Sequence, residues 1–85
     1  MASYKLFIKP SAAKEIEALP KQERQRVVAK ISSLSRDPRP TGCEKLSGQD
    51  RYRLGQGNYR ILYEIQDLAL IVVVVKVGHR RDVYR

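Results

Sequence analysis

The hydrophobic period of this 85-residue chain changes from that of a helix to that of a strand at residues 37–42. Before this segment, apolar side chains recur at helical spacing, as at Val27 and Ile31. After it, they alternate with polar side chains at a period of two, as at Ile61 and Tyr63. Elements with these periods each have one apolar face to bury, so they must pack against one another. The change of period therefore predicts an α+β fold.

Six elements are predicted, in the order β-α-α-β-β-β. The first strand spans residues 4–8 and ends at Pro10, and two helices follow at 12–19, with Ser11 as N-cap, and at 21–35. Further strands are predicted at 51–54, 59–65 and 69–77, the last being central and buried on both faces. Together they predict two layers: an antiparallel sheet with a helical hairpin packed on one face and the other face open. Residues 1–85 are expected to form a single domain, because so short a chain does not suffice for two.

The chain is strongly basic, with 17 lysines and arginines against 9 acidic residues and a formal net charge of +8. The positive electrostatic field of such a chain favours polyanionic partners. Each phosphate that a cation neutralises releases condensed counterions. Charge alone does not distinguish RNA, DNA, an anionic membrane and an acidic protein. The excess is also spread out: 9 basic and 4 acidic residues (+5) up to Thr41, then 8 basic and 5 acidic (+3). Only the positions of the charges can therefore identify a site.

Composition argues against several kinds of site. Cys43 is the only cysteine and His79 the only histidine, so an internal disulfide is excluded and neither a metal nor another cofactor is expected. The first ten residues contain no apolar run of signal-peptide length. The longest apolar run, residues 68–75, is too short to span a bilayer. A cytoplasmic protein without membrane association is expected.

Side-chain alternation predicts a cluster of arginines on the open face of the sheet. Arg51 and Arg53 project from one face of their strand, while the intervening Tyr52 faces the helices. Arg60 joins them if Ile61 on the next strand also faces the helices. Fixed guanidiniums suit phosphoryl transfer on RNA, because they can stabilise charge that develops on the phosphate oxygens.

The exit of the last strand brings further candidates, His79, Arg80 and Tyr84, if the strand leaves on that side. RNA supplies its own nucleophile, the 2′-hydroxyl, so the protein has to orient the backbone and to accept and supply a proton. His79 is the side chain that normally titrates near neutral pH. Tyr84 could stack on a base or share the proton transfer.

Simpler interpretations stay open. Exposed arginines on a small sheet are more often a solvated face or a general polyanion patch than a catalytic site. The alternating tyrosines 52, 59 and 63 fit core positions better than base-stacking positions. Lys45 could contact RNA, although a charged loop residue without a special role is the default.

Several motifs resemble the RelE/ParE toxin superfamily, and the resemblance covers nearly the whole chain. In order they are Asp37-Pro38 followed by Gly42, Lys45-Leu46-Ser47-Gly48, Tyr52-Arg53-Leu54, Gly57-Asn58-Tyr59-Arg60-Ile61-Leu62-Tyr63 and Val77-Gly78-His79-Arg80-Arg81-Asp82-Val83-Tyr84-Arg85. Each motif is weak alone, but the set is specific in this order and spacing. The predicted order of elements also matches that superfamily.

The resemblance implies a RelE-type toxin that enters the ribosomal A site and cuts bound mRNA by 2′-hydroxyl attack, without metal. Arg60 matches the arginine that stabilises the transition state, and Tyr84 matches the terminal catalytic tyrosine. The expected catalytic set is Arg53, Arg60, His79, Arg80 and Tyr84. Residues expected to bind RNA are Lys45, Arg51, Arg81 and Arg85. At positions 51 and 53, where lysine is also familiar, arginine favours an electrostatic role over proton transfer.

Two partners are implied: the ribosome with mRNA in its A site, and a cognate antitoxin that wraps the domain and inhibits it by covering or distorting the basic face. Two alternatives stay open. One is a ParE-like toxin that poisons DNA gyrase by protein contact and cuts no RNA. The other is a non-catalytic RNA- or ribosome-binding module.

Overall fold

The structure, a computed structural model, describes residues 3–46 and 50–81. Its two helices are α1 (Pro10–Glu17) and α2 (Lys21–Ser33). Its strands are β1 (Lys5–Ile8), β2 (Glu44–Lys45), β3 (Arg51–Gln56), β4 (Tyr59–Gln66) and β5 (Ile71–His79). The predicted order of elements is therefore observed, with the two-residue β2 as an addition that no sequence pattern indicated.

The five strands form one mixed sheet in the order β1-β5-β4-β3-β2. Pairing is antiparallel from β2 to β5, as predicted. β1 corrects the prediction of a wholly antiparallel sheet, because it pairs with β5 in parallel, with Lys5 opposite Ile71. The helical hairpin explains the difference: it carries the chain from β1 across the sheet to the opposite edge, so β1 and β5 are not joined by a turn.

Both helices pack on one face of this sheet, which confirms the two-layer α+β architecture. Ala12 of α1, Val27 and Ile31 of α2, and Leu34 directly after α2 are buried to 1% exposure or less. They join one cluster with the inward side chains of the strands: Tyr52, Leu54, Ile61, Tyr63, Ile65, Val72, Val74 and Val77. Tyr52 and Tyr63 are thus core residues, as expected, and their rings stack 5.8 Å apart. The helical layer leaves the opposite face of the sheet, here called the open face, uncovered.

Two predicted elements are displaced along the chain by two residues, and the bounds of the other four differ by one or two residues at one end. α1 begins at Pro10, with Lys9 at the N-cap position instead of Ser11. Proline suits the first helical position because its missing N–H has no partner there in any helix. The last strand runs from Ile71 to His79 and buries one face only, so the expectation of burial on both faces was wrong. β4 is the middle strand, and among the described residues no helix covers the second face of β5.

The loop after α2 is tied to the sheet by Arg39. Its guanidinium donates to both carboxylate oxygens of Asp67, at 3.1 and 2.8 Å, and lies 5.1 Å from the centre of the Tyr52 ring. Tyr4 also donates its hydroxyl proton to Asp67, at 2.8 Å. The Arg39 hydrogen bonds, and then that of Tyr4, hold the pKa of the Asp67 carboxyl below its usual value. Asp67 therefore joins the loop, β1 and the β4–β5 turn.

The stability of the fold should accordingly depend on pH through Asp67. A carboxyl whose pKa is depressed by folding stabilises the native state above its unfolded-state pKa of about 4 and ceases to do so as the pH falls through the lower native value. We expect Asp67→Asn to be less stable than the wild type at pH 7 and to lose less stability between pH 7 and pH 3, as measured by urea unfolding. Glu17→Gln removes one negative charge on α1 and serves as the matched control. It should lose as much stability between pH 7 and pH 3 as the wild type does. If Asp67→Asn lost as much stability as the wild type between pH 7 and pH 3, this role of Asp67 would be contradicted.

Candidate functional site

Strand register places the three predicted arginines on the open face. Arg51 is paired with Glu64, Arg53 with Leu62, and Gly55 with Arg60. Residues directly opposite one another in an antiparallel pair project from the same face, as do alternate residues of one strand. The neighbours Tyr52, Leu54 and Ile61 are buried against the helices. The predicted grouping of Arg51, Arg53 and Arg60 on the open face is therefore confirmed in its geometry.

Two of these arginines form ion pairs across the strands. The Arg51 Nε lies 2.9 Å from a Glu64 carboxylate oxygen, within a cross-strand pair. Arg53 is bonded to Glu44, which projects from β2 directly opposite it. The Arg53 side chain is only 18% exposed, whereas that of Glu44 is 64% exposed. The guanidinium planes are thereby oriented before any ligand arrives.

Arg60 lies across the neighbouring strand, over Gly55. A Cβ added at Gly55 would stand 2.8 Å from the Arg60 Nη1 and 3.4 Å from its Cζ. The absence of a side chain at position 55 therefore provides the space that the guanidinium occupies. Arg60 also donates to the backbone oxygen of Tyr59, at 3.3 Å. This arrangement directs the Arg60 side chain across β3, the strand that also carries Arg53.

Arg53 and Arg60 both line a pocket of about 230 Å³ at the edge of β3. β2 pairs with β3 only as far as Arg53, so the edge beyond it is not covered by a strand. The pocket joins the open face to helix α2 and is lined by Lys30, Thr41, Gly42, Glu44, Arg53, Leu54, Gly55 and Arg60. Three cations and one carboxylate make it a cationic concavity, which suits a phosphate group.

A larger concavity, of about 790 Å³, lies at the other end of the strands. It is lined by Asp50, Arg51, Glu64, Ile65, Gln66, Asp67, Leu68 and Ala69. Its lining has one cation, Arg51, against the three carboxylates of Asp50, Glu64 and Asp67, so it is acidic overall. The smaller pocket is therefore the better candidate site, because charge and convergence of side chains matter more than size for binding a phosphate.

Substitution of Gly55 tests whether the position of Arg60 matters. Gly55→Ala places a methyl group where the guanidinium lies, so the flexible end of Arg60 must move. If the pocket cleaves RNA, we expect a loss of about tenfold to hundredfold in cleavage rate, since displacements of about 1 Å can have effects of this size. The free energy of unfolding should change by less than about 1 kcal/mol, because alanine is no worse than glycine within a strand.

The control for this prediction is the double variant. Because Gly55→Ala acts through Arg60, adding it to Arg60→Ala should slow cleavage no further, so the two effects are not additive. Fully additive losses in single-turnover cleavage assays would show that Gly55 acts in another way.

The end of β5 does not bring His79 to the arginines. His79 is paired with Tyr59, and the two rings meet edge to face with their centres 5.8 Å apart. Its neighbour two residues earlier, Val77, is buried against the helices. His79 therefore lies on the helix side of the sheet, which corrects the expectation that it joins the arginines on the open face. The physical reason is the alternation of side chains: Gly78, not His79, lies opposite Arg60.

Arg80 and Arg81 follow the strand in a turn, and both are exposed. The Arg80 backbone N–H donates to the carbonyl of Asn58 at 2.8 Å, which fixes this turn beside the β3–β4 hairpin. The Arg81 N–H donates to the His79 Nδ1 at 3.2 Å. His79 thus acts as a local acceptor in the turn. The backbone of Arg80 is close to the strand that carries Arg60, in keeping with the predicted neighbourhood.

Lys45, the remaining predicted residue within the described part of the chain, does not extend the cluster. Lys45 is paired with the inward-facing Tyr52, so the register places it on the helix side of the sheet. Tyr84 and Arg85 lie outside the described residues.

Sequence reasoning missed the roles of Glu44, Gly55 and Lys30. Gly55 falls just beyond the predicted strand 51–54, but it lies within β3 and opposite Arg60. Glu44 and Lys30 carried no signal, because their proximity to Arg53 depends on β2 and on the packing of α2. The sequence does contain a signal for Gly55. It follows Arg51 and Arg53 at the same two-residue spacing, and a glycine at such a strand position indicates that another group approaches the backbone closely.

The fold corresponds to that of small bacterial and archaeal toxins. Residues 6–84 match the family model described as ParE toxin of type II toxin-antitoxin system, parDE. Toxin RelG of Mycobacterium tuberculosis is 34% identical over 96% of this chain and 97% of its own length. The isolated RelE toxin of Escherichia coli is similar in structure, with a TM-score of 0.79 at 30% identity over 96% of this chain and 92% of that one.

Complexes with antitoxins are among the similar structures. The archaeal RelE–RelB complex of Pyrococcus horikoshii contains a chain with a TM-score of 0.84 at 26% identity, covering 94% of this chain and 98% of that one. The family match and the similarity to these toxins show that this chain is a toxin of a type II toxin–antitoxin system. The chain belongs to the RelE/ParE superfamily and, within it, to the RelE family of toxins.

Proposed function

We propose that this toxin is a ribosome-dependent endoribonuclease that cuts mRNA in the A site and so inhibits translation. The observation that carries the proposal is the pocket in which Arg53 and Arg60 converge beside Gly55. Two fixed guanidiniums favour a pentacoordinate phosphate, whose charge exceeds that of the phosphodiester, over the ground state. The similarity to RelE toxins supports this choice among the functions of basic proteins.

The proposed reaction uses the 2′-hydroxyl of the RNA as nucleophile. Its oxygen attacks the adjacent phosphorus, the bond from phosphorus to the 5′-oxygen breaks, and the products are a 2′,3′-cyclic phosphate and a 5′-hydroxyl. Arg60 and Arg53 stabilise the nonbridging oxygens, while Arg51, Arg80 and Arg81 hold the backbone. Tyr84 is proposed to stack on a base or to take part in the proton transfer.

Dependence on the ribosome follows from the shape of the site. The pocket is small, about 230 Å³, and lies at the edge of β3, so it provides little surface to align the 2′-oxygen, the phosphorus and the 5′-oxygen. In-line geometry is a large part of the catalysis of such a reaction. A ribosome that holds the codon would supply this alignment, and the basic surface would favour association with rRNA.

A cognate antitoxin is the second proposed partner. Similar chains occur in the RelBE2 toxin–antitoxin complex of M. tuberculosis and in the intact RelBE complex of E. coli. A net charge of +8 favours an antitoxin segment rich in acidic residues. Covering the Arg53–Arg60 pocket would block the phosphate directly.

The proposal is tested by adding the purified toxin to ribosomes programmed with a defined mRNA. Primer extension should locate cuts within the A-site codon, and the upstream fragments should end in a cyclic phosphate. A 2′-methoxy group at the attacking nucleotide should abolish the cut, because it removes the nucleophile. The same mRNA without ribosomes is the control for ribosome dependence. Intact mRNA on programmed ribosomes would refute the nuclease.

One observation favours a second function. The family model that matches residues 6–84 is described as a ParE toxin. A ParE-like toxin would inhibit DNA gyrase through protein contact and would need no transition-state arginine. Inhibition of supercoiling by the purified protein that persists in Arg60→Ala, with no cleavage of mRNA, would favour this alternative.

A further inference from the structure

The described part of the Arg53–Arg60 pocket contains one side chain that can accept a proton at neutral pH. Lys30, Arg53 and Arg60 are cations, and the other lining residues are Thr41, Gly42, Leu54 and Gly55. A threonine hydroxyl is too weakly basic for this purpose. His79, the proton acceptor expected from the sequence, lies on the opposite side of the sheet. Glu44 is therefore the acceptor that the pocket itself offers.

We propose that Glu44 is the general base that activates the 2′-hydroxyl; this inference rests on the proposed nuclease function. The proton passes from the 2′-oxygen to a Glu44 carboxylate oxygen as the bond from the 2′-oxygen to phosphorus forms. The bond from phosphorus to the 5′-oxygen then breaks, the departing oxygen takes a proton from water, and the protonated Glu44 afterwards returns its proton to the solvent. Charge and atoms balance without a further reactant.

The contacts of Glu44 fit this role. β2 is short and places Glu44 directly opposite Arg53, with the two side chains bonded. The carboxylate is 64% exposed, so an incoming nucleotide can reach it. When a phosphate binds Arg53, it competes with Glu44 for the guanidinium, so the carboxylate becomes free to contact the bound nucleotide.

Glu64 provides a matched control on the same face. It also forms a cross-strand ion pair with an arginine, in this case Arg51, and its side chain is 31% exposed. It does not line the Arg53–Arg60 pocket. If carboxylates on the open face merely neutralise arginines, Glu44→Gln and Glu64→Gln should have similar effects. If Glu44 accepts the proton, only Glu44→Gln should slow the chemical step strongly.

The experiment measures single-turnover cleavage on programmed ribosomes with saturating toxin. Glu44→Gln should lower the rate about 100-fold or more, the usual range for loss of a general base, with ribosome affinity equal to that of the wild type or tighter. Glu64→Gln should lower it less than about fivefold. Glu44→Asp, which keeps the carboxylate, should recover part of the rate and also controls for folding.

A substrate with sulfur in place of the bridging 5′-oxygen separates a base from an acid. Sulfur leaves without a proton, so a variant that lacks the acid regains its rate, whereas a variant that lacks the base does not. Glu44→Gln should remain slow on this substrate relative to the wild type. Recovery on the sulfur substrate, or a Glu44→Gln rate within fivefold of Glu64→Gln, would overturn the assignment while leaving the nuclease intact. A wild-type protein that cuts neither substrate would overturn both.

Discussion

Arg60→Ala is expected to reduce cleavage of ribosome-bound mRNA by about 100-fold to 1,000-fold, the effect of removing one donor that stabilises a developing oxyanion. The Arg60 guanidinium lies over Gly55 and lines the pocket with Arg53. Its contribution is made mainly to the transition state, so the affinity for ribosomes should change by less than about threefold. Single-turnover rates and ribosome co-sedimentation measure the two quantities separately.

Arg26→Ala is the matched control for the loss of a positive charge. Arg26 lies on α2, its side chain is 62% exposed, and it is only loosely paired with Glu23, at 3.7 Å. This variant should weaken ribosome binding slightly, in a salt-dependent manner, with a nearly normal single-turnover rate at saturation. Equal effects of Arg60→Ala and Arg26→Ala would mean that the open face only attracts RNA.

Ile31→Ala is expected to lower the free energy of unfolding by about 2–5 kcal/mol, the range for removing a large aliphatic side chain from a packed core. Ile31 is 1% exposed and lies in the cluster between α2 and the sheet. The total free energy of unfolding of a small domain is only about 5–15 kcal/mol. Because this chain is short, the expected loss is a large part of its stability. Urea unfolding monitored by circular dichroism provides the measurement, in an Arg60→Ala background that reduces toxicity during expression.

The control on the same helix is Val28→Ala. Val28 is 45% exposed, so truncation leaves no cavity, and alanine is the better helix former. Its effect should stay within about 0.5 kcal/mol. Because a bound antitoxin stabilises the native state by mass action, the Ile31→Ala defect should be partly masked in the complex. A loss below about 1 kcal/mol for Ile31→Ala would show that the helix packs less closely than described.

The sequence by itself determined the two-layer architecture. Spacing of apolar residues along one chain encodes which side of an element is buried, and this information is local. Hence the inward positions of Tyr52, Ile61 and Tyr63 were predictable, and the position of Arg53 and Arg60 on the opposite face followed from them. Family membership was also evident from short motifs in a fixed order, and the comparisons confirm it.

Tertiary structure decided which groups meet across strands. The parallel pairing of β1 with β5 and the formation of β2 depend on where the helical hairpin delivers the chain, which no local period records. Register then placed Glu44 beside Arg53 and Gly55 beneath Arg60, and it placed His79 against Tyr59, away from them. A shift of one residue reverses the face of every side chain in a strand, so the composition of the site depends on pairing between distant segments. The arginines of the candidate site could be predicted because their face is a local property, whereas its candidate proton acceptor could not because it comes from another strand.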